Sequence, residues 1–332
     1  MNFNYVIINF PDGGFWGTNK DGYYKICLED LEKYENVRIV NAPLDYSSKL
    51  IRLLYKIHTS AKINSIISLP FKSRWKDKYI KTDFKDIKPL CFIFLWFPPE
   101  EDLLFFRRKF HNAIFVRACR DIFASNSAYL KYYNSNIFDI WMSFDKGDCE
   151  KYSMKYFSEF ESKIKIGKSP KQSYDVFFAG RAKDRMNKLM KVYDLITSYG
   201  LKCYFYLVDV QDNEKVIAEG IHYAKKMMSY RNMLEHSIAS KCILEINQSG
   251  ADGYTSRFLE SVMYGRRLLT DNSSVKNTRF YDSGYIYYLD ADMYVPKSFF
   301  EGAREVDYCY NEQFSPITFL NRVEEILKST NS

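Results

Sequence analysis

Basic residues follow a short apolar run in the second half of the sequence. In "FFAGRAKDR" the run ends at Gly180, and Arg181, Lys183 and Arg185 come next. A glycine here allows a ligand to approach the backbone closely, and a helix that begins near Asp184 would offer free N–H groups. Helix N–H groups combined with basic side chains suit a pyrophosphate. A glycine turn with solvated basic residues is the alternative.

A second segment, "SGADGYTSRFLESVMYGRRLLTD" at 249–271, has a similar order. Asp252 and Gly253 predict a turn, residues 254–264 predict a helix, and Gly265 ends that helix before a buried strand. The start of this helix also directs free N–H groups toward an anion.

Polar side chains gather where this helix begins. Thr255, Ser256 and Arg257 lie beside the predicted free N–H groups. Glu260 lies in the first turns of the helix, where a carboxylate could accept hydrogen bonds from a ribose diol. The segment therefore combines an anion site with an acceptor for hydroxyl groups.

Two acidic motifs lie outside these segments. The glycine-rich loop "NFPDGGFWGTNKDGYYK" follows the first apolar run, and its Asp12 is a candidate general base. A glycine turn with a solvated aspartate is the alternative. Asp290 and Asp292 in "LDADMY" have the acid-x-acid spacing of a metal ligand pair, but acidic turns after strands are common. We interpret this pair as structural and predict no metal site.

Short apolar runs separated by helical patterns must position these residues. In the first half, strands are predicted at 5–10, 37–42, 91–96, 113–118 and 137–142, with helices at 47–58 and 100–111. After a polar stretch at 161–173 the alternation restarts, with strands at 174–180, 202–208, 241–246, 267–271 and 285–290 and helices up to about 199 and at 227–239. Continuous apolar strands alternating with helices indicate parallel sheets buried on both faces.

The predicted fold class is therefore α/β, with two tandem Rossmann-like doubly wound domains facing a cleft. The predicted boundaries are an N-terminal domain at 1–160, a linker at 161–173, a C-terminal domain at 174–314 and a closing helix at 315–332. In such sheets, ligands bind beyond the carboxyl ends of the strands.

Composition narrows the class of protein. Apolar residues make up 46% of the 332 residues and charged residues 27%, which favours an ordinary globular protein. The sequence has no apolar run long enough for a membrane span, and its start lacks the features of a signal peptide, so a cytoplasmic location is expected. The seven cysteines lack paired C-x-x-C spacing and are interpreted as reduced core residues.

A basic and aromatic strip at 72–88 holds seven Lys or Arg residues against three Asp, with Trp75, Tyr79 and Phe84 between them. Such a strip could contact phosphates on a membrane, a lipid carrier or nucleic acid. A peripheral contact at the inner face of the membrane is one interpretation, and a solvated loop is another.

The 252–271 segment resembles the nucleotide-sugar loop and helix of glycosyltransferases with the GT-B fold. Retaining members of that group carry an acidic residue, seven others and a glutamate, and this sequence has Asp252, seven residues and Glu260. "YDVFFAGR" resembles the opening strand of the same donor domain, and "SYRNMLEHSIASKCILEI" resembles its base-binding helix and strand. The likeness covers about residues 174–290.

The resemblance implies a glycosyltransferase that takes a nucleotide sugar, with a UDP-sugar favoured, and needs neither a metal nor another cofactor. It implies that Arg181 and Lys183 neutralise the diphosphate, that Thr255 and Ser256 donate to it, and that Glu260 binds the ribose, with Asp252 at the transferred sugar. Asp252 is the catalytic residue that the resemblance implies, and Asp12 is the candidate general base if the reaction inverts the configuration of the sugar. The implied donor-binding residues are Gly180, Arg181, Lys183, Arg185, Tyr230, Gly253, Tyr254, Thr255, Ser256, Arg257 and Glu260.

The sequence departs from the family pattern at several positions. Asp252 replaces the usual Glu, Arg266 and Arg267 replace a small residue and a proline, and Asp184 follows Lys183. Through "FDIWMSFDKGDCEKY", the chain also resembles transferases of bacterial surface-polysaccharide synthesis, which implies a capsule, O-antigen or other lipid-linked glycan as acceptor. Two alternatives remain open: a basic nucleic-acid-associated protein, although no nucleic-acid module is recognised, and a sugar-nucleotide-binding assembly protein without turnover.

Overall fold

A computed structural model shows two parallel β-sheets of six strands each. The residues that the structure describes are 1–9, 22–41, 50, 53–54, 57–58, 60–67, 69–71, 74, 82–98, 100–121, 123, 130, 132–133, 135–167, 174–247 and 253–330. The predicted α/β class with two Rossmann-like sheets is confirmed. Within the described residues, no helix combines the length and the apolar character that a membrane span requires.

The chain divides into two units. The first unit contains Met1–Ser162 and Pro316–Ser332, and the second contains Lys163–Ser315. The C-terminal helix, which the sequence analysis set apart as a closing segment, packs on the first sheet and belongs to the first unit. The residues expected to form the linker are described only as far as Gly167.

The first sheet has the strand order β2-β1-β3-β4-β5-β6. All its pairings are parallel. The order reverses between β1 and β3, and this reversal marks the topological switch point of the sheet. Its strands are β1 (Asn4–Asn9), β2 (Val37–Asn41), β3 (Leu90–Phe94), β4 (Ile114–Cys119), β5 (Ile140–Ser143) and β6 (Lys155–Tyr156).

Both faces of the first sheet are covered, because side chains alternate along its apolar strands. Tyr5 and Ile7 point to a core that includes Phe319 of the C-terminal helix, whereas Val6 and Ile8 point to a separate core on the other face. The helices of this unit are α1 (Tyr23–Ile26), α2 (Ala61–Asn64), α3 (Glu100–Lys109) and α4 (Lys146–Tyr152), and the C-terminal helix is Pro316–Thr330. The helix predicted at 47–58 lies largely outside the described residues.

The second sheet has the order β12-β11-β10-β7-β8-β9, which is the dinucleotide-fold order when its strands are counted from β7. Its strands are β7 (Tyr174–Arg181), β8 (Cys203–Val208), β9 (Ile221–Ala224), β10 (Ser240–Glu245), β11 (Arg267–Thr270) and β12 (Ile286–Tyr288). Its helices are α5 (Met186–Ser198), α6 (Tyr230–Ala239) and α7 (Ser256–Met263), so the C-terminal helix is α8.

Strand order fixes where the second unit can bind a ligand. Because β7 and β10 are neighbours and the order reverses between them, a crevice forms at their carboxyl ends. The basic segment after Gly180 and the loop after Glu245 both leave the sheet at this point. The fold therefore brings together two segments that are about seventy residues apart in sequence.

Candidate functional site

Arg185 occupies the switch point of the second sheet. Its Nη2 donates to the carbonyl of Arg181 at 2.8 Å, and its Nη1 donates to the carbonyl of Ile246, just beyond β10. A Cβ atom on Gly180 would lie 3.1 Å from the Arg185 Nη2, so the absence of a side chain leaves room for this guanidinium. Arg185 thus bridges the ends of β7 and β10.

Arg185 carries a positive charge that its direct contacts do not neutralise. Burial lowers the pKa of the guanidinium, and the neighbouring Arg257 lowers it further. The hydrogen-bond partners of the Arg185 side chain are carbonyl oxygens, and no ion pair joins it to a carboxylate among the residues that the structure describes. An anion bound here would relieve the repulsion between the two guanidinium groups.

Three further basic side chains surround this point. The Arg181 Nε lies 3.0 Å from the Asp209 carboxylate, and more than half of each side chain is exposed. Lys183 is exposed and has a φ of 43°, in the left-handed region. The Lys188 ammonium pairs with Asp271 at 2.8 Å. Two of these three basic side chains are therefore paired with carboxylates at the carboxyl edge of β7.

Thr255 caps helix α7 beside the same edge. Its hydroxyl oxygen accepts from the Arg257 N–H at 3.1 Å and donates its own proton to Glu245, the last residue of β10. Ser256 and Gly253 are half-exposed, and the Gly253 carbonyl accepts from the Asn272 side chain at 3.0 Å. The predicted donation from Thr255 to a phosphate would therefore compete with its bond to Glu245.

Glu260 is fully buried and takes part in a network of protein groups. Its Oε1 accepts from the Arg257 Nη1 at 2.8 Å and from the Tyr230 hydroxyl at 3.1 Å, and its Oε2 accepts from the Ser237 hydroxyl at 3.2 Å. Burial raises the pKa of this carboxyl, and Arg257 opposes the shift. The Arg257 Nη2 continues the network to the Ala179 carbonyl on β7 at 3.1 Å.

The sequence did not predict these hydrogen-bond partners of Glu260. A ribose diol could reach the carboxylate only if Tyr230 or Ser237 moved away, since Glu260 has no exposed area. The ribose contact stays a prediction, and Tyr230, expected beside the donor, is itself buried against Glu260. In this geometry Glu260 orients Arg257 toward the end of β7.

The predicted site residues other than Tyr230 and Glu260 divide into two groups. The two catalytic candidates, Asp12 and Asp252, lie outside the described residues, as do Trp75 and Tyr79 of the basic strip. The structure brings the other group together at the carboxyl ends of β7 and β10 and at the start of α7; it consists of Gly180, Arg181, Lys183, Arg185, Gly253, Tyr254, Thr255, Ser256 and Arg257. Their roles toward a ligand stay predictions.

Acidic residues at this edge were missed by the sequence analysis. Glu245 is 3% exposed and accepts from the hydroxyls of Thr255 and Thr270, and burial raises the pKa of its carboxyl. Asp271 accepts from the Asn247 N–H at 2.7 Å. The sequence contains one signal for Glu245, which is a lone glutamate in the apolar run "CILEI". A buried acid in a strand needs specific hydrogen-bond partners, so its presence there predicts a polar contact.

Two of the departures from the family pattern, Arg266 and Arg267, have structural explanations. Arg266 Nε donates to the Ile238 carbonyl at 2.8 Å, and Arg267 donates to the Ala303 and Glu301 carbonyls at 2.6 and 2.7 Å. Both arginines are therefore tied to neighbouring backbone. Asp290, of the acid-x-acid pair, accepts from the Asp292 N–H at 3.0 Å in an exposed turn. Across the described residues, no three His, Cys, Asp or Glu side chains gather as metal ligands.

A buried ion pair lies at the carboxyl edge of the first sheet. Arg120 follows β4, and its Nη2 lies 2.6 Å from the Glu159 carboxylate and donates to the Tyr23 hydroxyl at 2.7 Å. The two paired side chains are at most 10% exposed. Sequence reasoning singled out neither residue. The pair fixes the start of α1 against the segment that follows β6.

Comparison with protein-family models and with curated protein sequences gives no match. Among solved structures, the chain is similar to HepE (Alr3699) of Anabaena in complex with UDP-glucose, with 11% identity, 98% of this chain and 99% of that chain covered, and a TM-score of 0.51. It is also similar to a UDP-N-acetylglucosamine 2-epimerase of Rickettsia bellii, with 13% identity, coverage of 100% and 98%, and a TM-score of 0.45. A third similar structure is the glycosyltransferase SnogD of Streptomyces nogalater, with 9% identity, coverage of 92% for both chains and a TM-score of 0.37.

At these identities, the similarity to HepE establishes the fold and not the substrate. The fold is GT-B, with two tandem Rossmann-like units.

Proposed function

We propose that this protein is a glycosyltransferase that binds a nucleotide-sugar donor, with a UDP-sugar favoured, at the carboxyl edge of the second sheet. The observation that carries the proposal is the pair of guanidinium groups of Arg185 and Arg257 at the switch point. The hydrogen bonds of the Arg185 side chain go to backbone carbonyl oxygens, which carry no full negative charge. A diphosphate supplies the missing negative charge and accepts the hydrogen bonds that guanidinium groups donate.

The same groups provide a chemical role. When a glycosidic bond to a nucleoside diphosphate breaks, negative charge develops on the leaving diphosphate. Arg181, Lys183 and Arg185 stabilise this charge more in the transition state than in the ground state, and this difference lowers the barrier. Since side chains supply the cationic charge, the proposed reaction needs no metal ion. The buried pair of Arg257 and Glu260 holds one guanidinium in place during the reaction.

The proposed acceptor is a glycan or a lipid-linked glycan of a bacterial surface polysaccharide. Two features support this part: the resemblance through "FDIWMSFDKGDCEKY", and the basic strip at 72–88, which suits an anionic lipid carrier. The proposed location is cytoplasmic, with peripheral contact at the inner face of the membrane. In the described part of the strip, Lys85 pairs with Glu35 at 2.6 Å, so that lysine is already occupied.

Binding of nucleoside diphosphates tests the donor site. Thermal shift and calorimetry of the full chain with UDP, GDP, CMP and dTDP should show one nucleotide that raises the melting temperature, since a ligand at a hundred times its Kd adds about 2.7 kcal/mol. Arg181→Ala should weaken that binding about tenfold, because it removes a charged hydrogen-bond donor. Lys191→Ala is the matched control, an exposed basic residue further along α5.

Turnover separates the proposed enzyme from its alternatives. Incubation of UDP-glucose with the protein and candidate glycan acceptors should release UDP in an acceptor-dependent way. A protein that binds UDP and never releases it from a UDP-sugar would be an assembly protein. The absence of any nucleotide binding, together with salt-dependent binding of DNA or RNA, would refute the donor site.

A further inference from the structure

A second cavity lies at the opposite edge of the second sheet, between the end of α7 and the segment before α8. Its volume is about 480 Å³, within the range of small-molecule sites. The eight residues of α7 separate it from the Thr255 end of the helix by about 12 Å, at 1.5 Å per residue. We call it the Tyr264 pocket, and its polar and aromatic lining includes Lys163, Tyr264, Arg266, Glu305, Asp307 and Tyr310.

Two tyrosine rings form one side of the Tyr264 pocket. The Lys163 ammonium lies 5.9 Å from the ring centroid of Tyr264 and 5.6 Å from that of Tyr310. The Tyr264 hydroxyl accepts from the Ile164 N–H at 3.0 Å and donates to its carbonyl at 3.3 Å. These bonds fix the orientation of the Tyr264 ring.

The opposite wall of the Tyr264 pocket is fixed by a close backbone approach. Gly265 has a φ of 60°, and a Cβ atom there would lie 2.5 Å from the Val306 carbonyl oxygen. The Val306 N–H donates to the Gly265 carbonyl at 3.0 Å, and the Tyr308 hydroxyl donates to the Arg266 carbonyl at 3.0 Å. The segment that carries Glu305 and Asp307 is thus attached to the end of α7, and the pocket is formed before a ligand arrives.

Arg266 brings a hydrogen-bond donor to the Tyr264 pocket. The residue is only 6% exposed, and its Nε and Nη1 donate to the Ile238 and Gly265 carbonyls at 2.8 and 2.9 Å. Within the described part of the chain, its Nη2 makes no hydrogen bond. Since this nitrogen carries two N–H groups, an acceptor oxygen in the cavity would give it a hydrogen-bond partner.

The lining charges of the Tyr264 pocket balance. Lys163 and Arg266 carry positive charge, and Glu305 and Asp307 carry negative charge. A phosphate would meet both carboxylates, which repel it, and a cation would meet the ammonium and the guanidinium. The ligand that suits this lining is neutral, both donates and accepts hydrogen bonds, and has one apolar face for a tyrosine ring.

We propose that the Tyr264 pocket binds a neutral saccharide. Sugar hydroxyls donate to Glu305 and Asp307 and accept from Arg266 and Lys163, while the C–H face of a pyranose ring packs on Tyr310. The site lies at the other end of α7 from the proposed donor site and shares no side chain with it. The proposal therefore goes beyond the donor site and stands on separate residues.

Saturation-transfer-difference NMR on the full chain tests this proposal. The probes are D-glucose, D-galactose, N-acetylglucosamine and maltohexaose, each measured with and without UDP. Tyr310→Ala removes one ring from the pocket. Tyr294→Ala is the matched control, a tyrosine of the same unit that is 53% exposed and does not line the pocket. Melting curves check that each variant is folded, and Lys163→Gln replaces Tyr310→Ala if that variant does not fold.

The expected result is saturation transfer to at least one probe, unchanged by UDP and by Tyr294→Ala, and about tenfold weaker in the pocket variant, as for an aromatic contact at the centre of a site. The proposal is overturned if none of the probes receives saturation, or if the signal disappears with UDP and persists in the pocket variant. Binding of inorganic phosphate that the pocket variant abolishes would also overturn it. UDP binding is recorded on the same samples, so failure of the donor site and failure of the saccharide site are distinguishable.

Discussion

Replacing Glu260 with alanine should destabilise the second unit strongly. The substitution removes the acceptor of three hydrogen bonds, from Arg257, Tyr230 and Ser237, in a place with no solvent to replace it. Arg257 is left 15% exposed with its paired carboxylate gone. Removing one partner of a buried ion pair costs about 3–5 kcal/mol, chiefly because the other charge stays buried.

That cost corresponds to a large change in melting temperature. For a unit of about 150 residues, each kcal/mol shifts the midpoint by about 2–4 °C, so Glu260→Ala should lower it by about 6–20 °C. Urea denaturation and thermal melts without any ligand measure the effect. Glu325→Ala is the matched control, since Arg322 and Glu325 have the same i,i+3 spacing but are 46% and 66% exposed, and such pairs contribute little.

A double-mutant cycle checks the cause. The variant with both Arg257→Ala and Glu260→Ala should lose less free energy of unfolding than the two single losses together, because neither charge is then left alone. The following result would refute the structural role of Glu260. If Glu260→Ala unfolds at the wild-type midpoint but no longer binds UDP, then Glu260 faces a ligand and the buried network does not represent its role.

Two further predictions concern titratable groups elsewhere. Burial raises the pKa of Glu245, so the folded protein keeps the proton of this carboxyl to a higher pH than the unfolded chain does. The stability that this protonation provides is complete below the usual glutamate pKa of about 4.3. It declines as the pH rises through the raised pKa of the folded state. The urea concentration at the unfolding midpoint should therefore fall as the pH rises from 4 to 8. Glu245→Gln should make this midpoint less dependent on pH, and an unchanged pH dependence would exclude Glu245 as its source. Cys309 is the exposed thiol, whereas burial raises the pKa of Cys27 to about 12. A thiol-reactive dye at pH 8 should show a fast phase that Cys309→Ser removes. Cys149 is partly buried and should react more slowly, so a fast phase that survives the substitution would contradict this order of exposure.

Element positions were predictable because the strands are continuous apolar runs. The strand predicted at 174–180 is Tyr174–Arg181, and the strand predicted at 241–246 is Ser240–Glu245. Short edge strands were missed: Ile221–Ala224 follows a polar segment, and its burial pattern is weak. Its pairing depends on β8, because the Phe205 N–H reaches the Gly220 carbonyl at 2.7 Å, a contact that sequence periodicity does not encode.

The sequence indicated which two segments follow the ends of β7 and β10, but it did not indicate how their side chains are oriented. The glycine and the basic residues after β7 identified a crevice, since a strand end is a local property of sequence. Whether Glu260 faces a ligand or the core depends on Tyr230 and Ser237, which come from a different helix. The sequence spacing between Asp252 and Glu260 carries no information about those two partners.

Because α8 belongs to the first unit, its position at the end of the chain affects the order in which the two units can fold. Glu324 on α8 accepts from the Asn2 N–H at 3.1 Å and from the Tyr5 hydroxyl at 3.2 Å, across more than three hundred residues. On the ribosome, every residue of the second unit is made before α8 appears. The first sheet must therefore wait for its last helix with the side chains around Ile7 uncovered, while the second unit can already be folded. Contacts so distant in sequence also form slowly, so nascent chains of this protein pass through a stage in which an apolar sheet face is exposed.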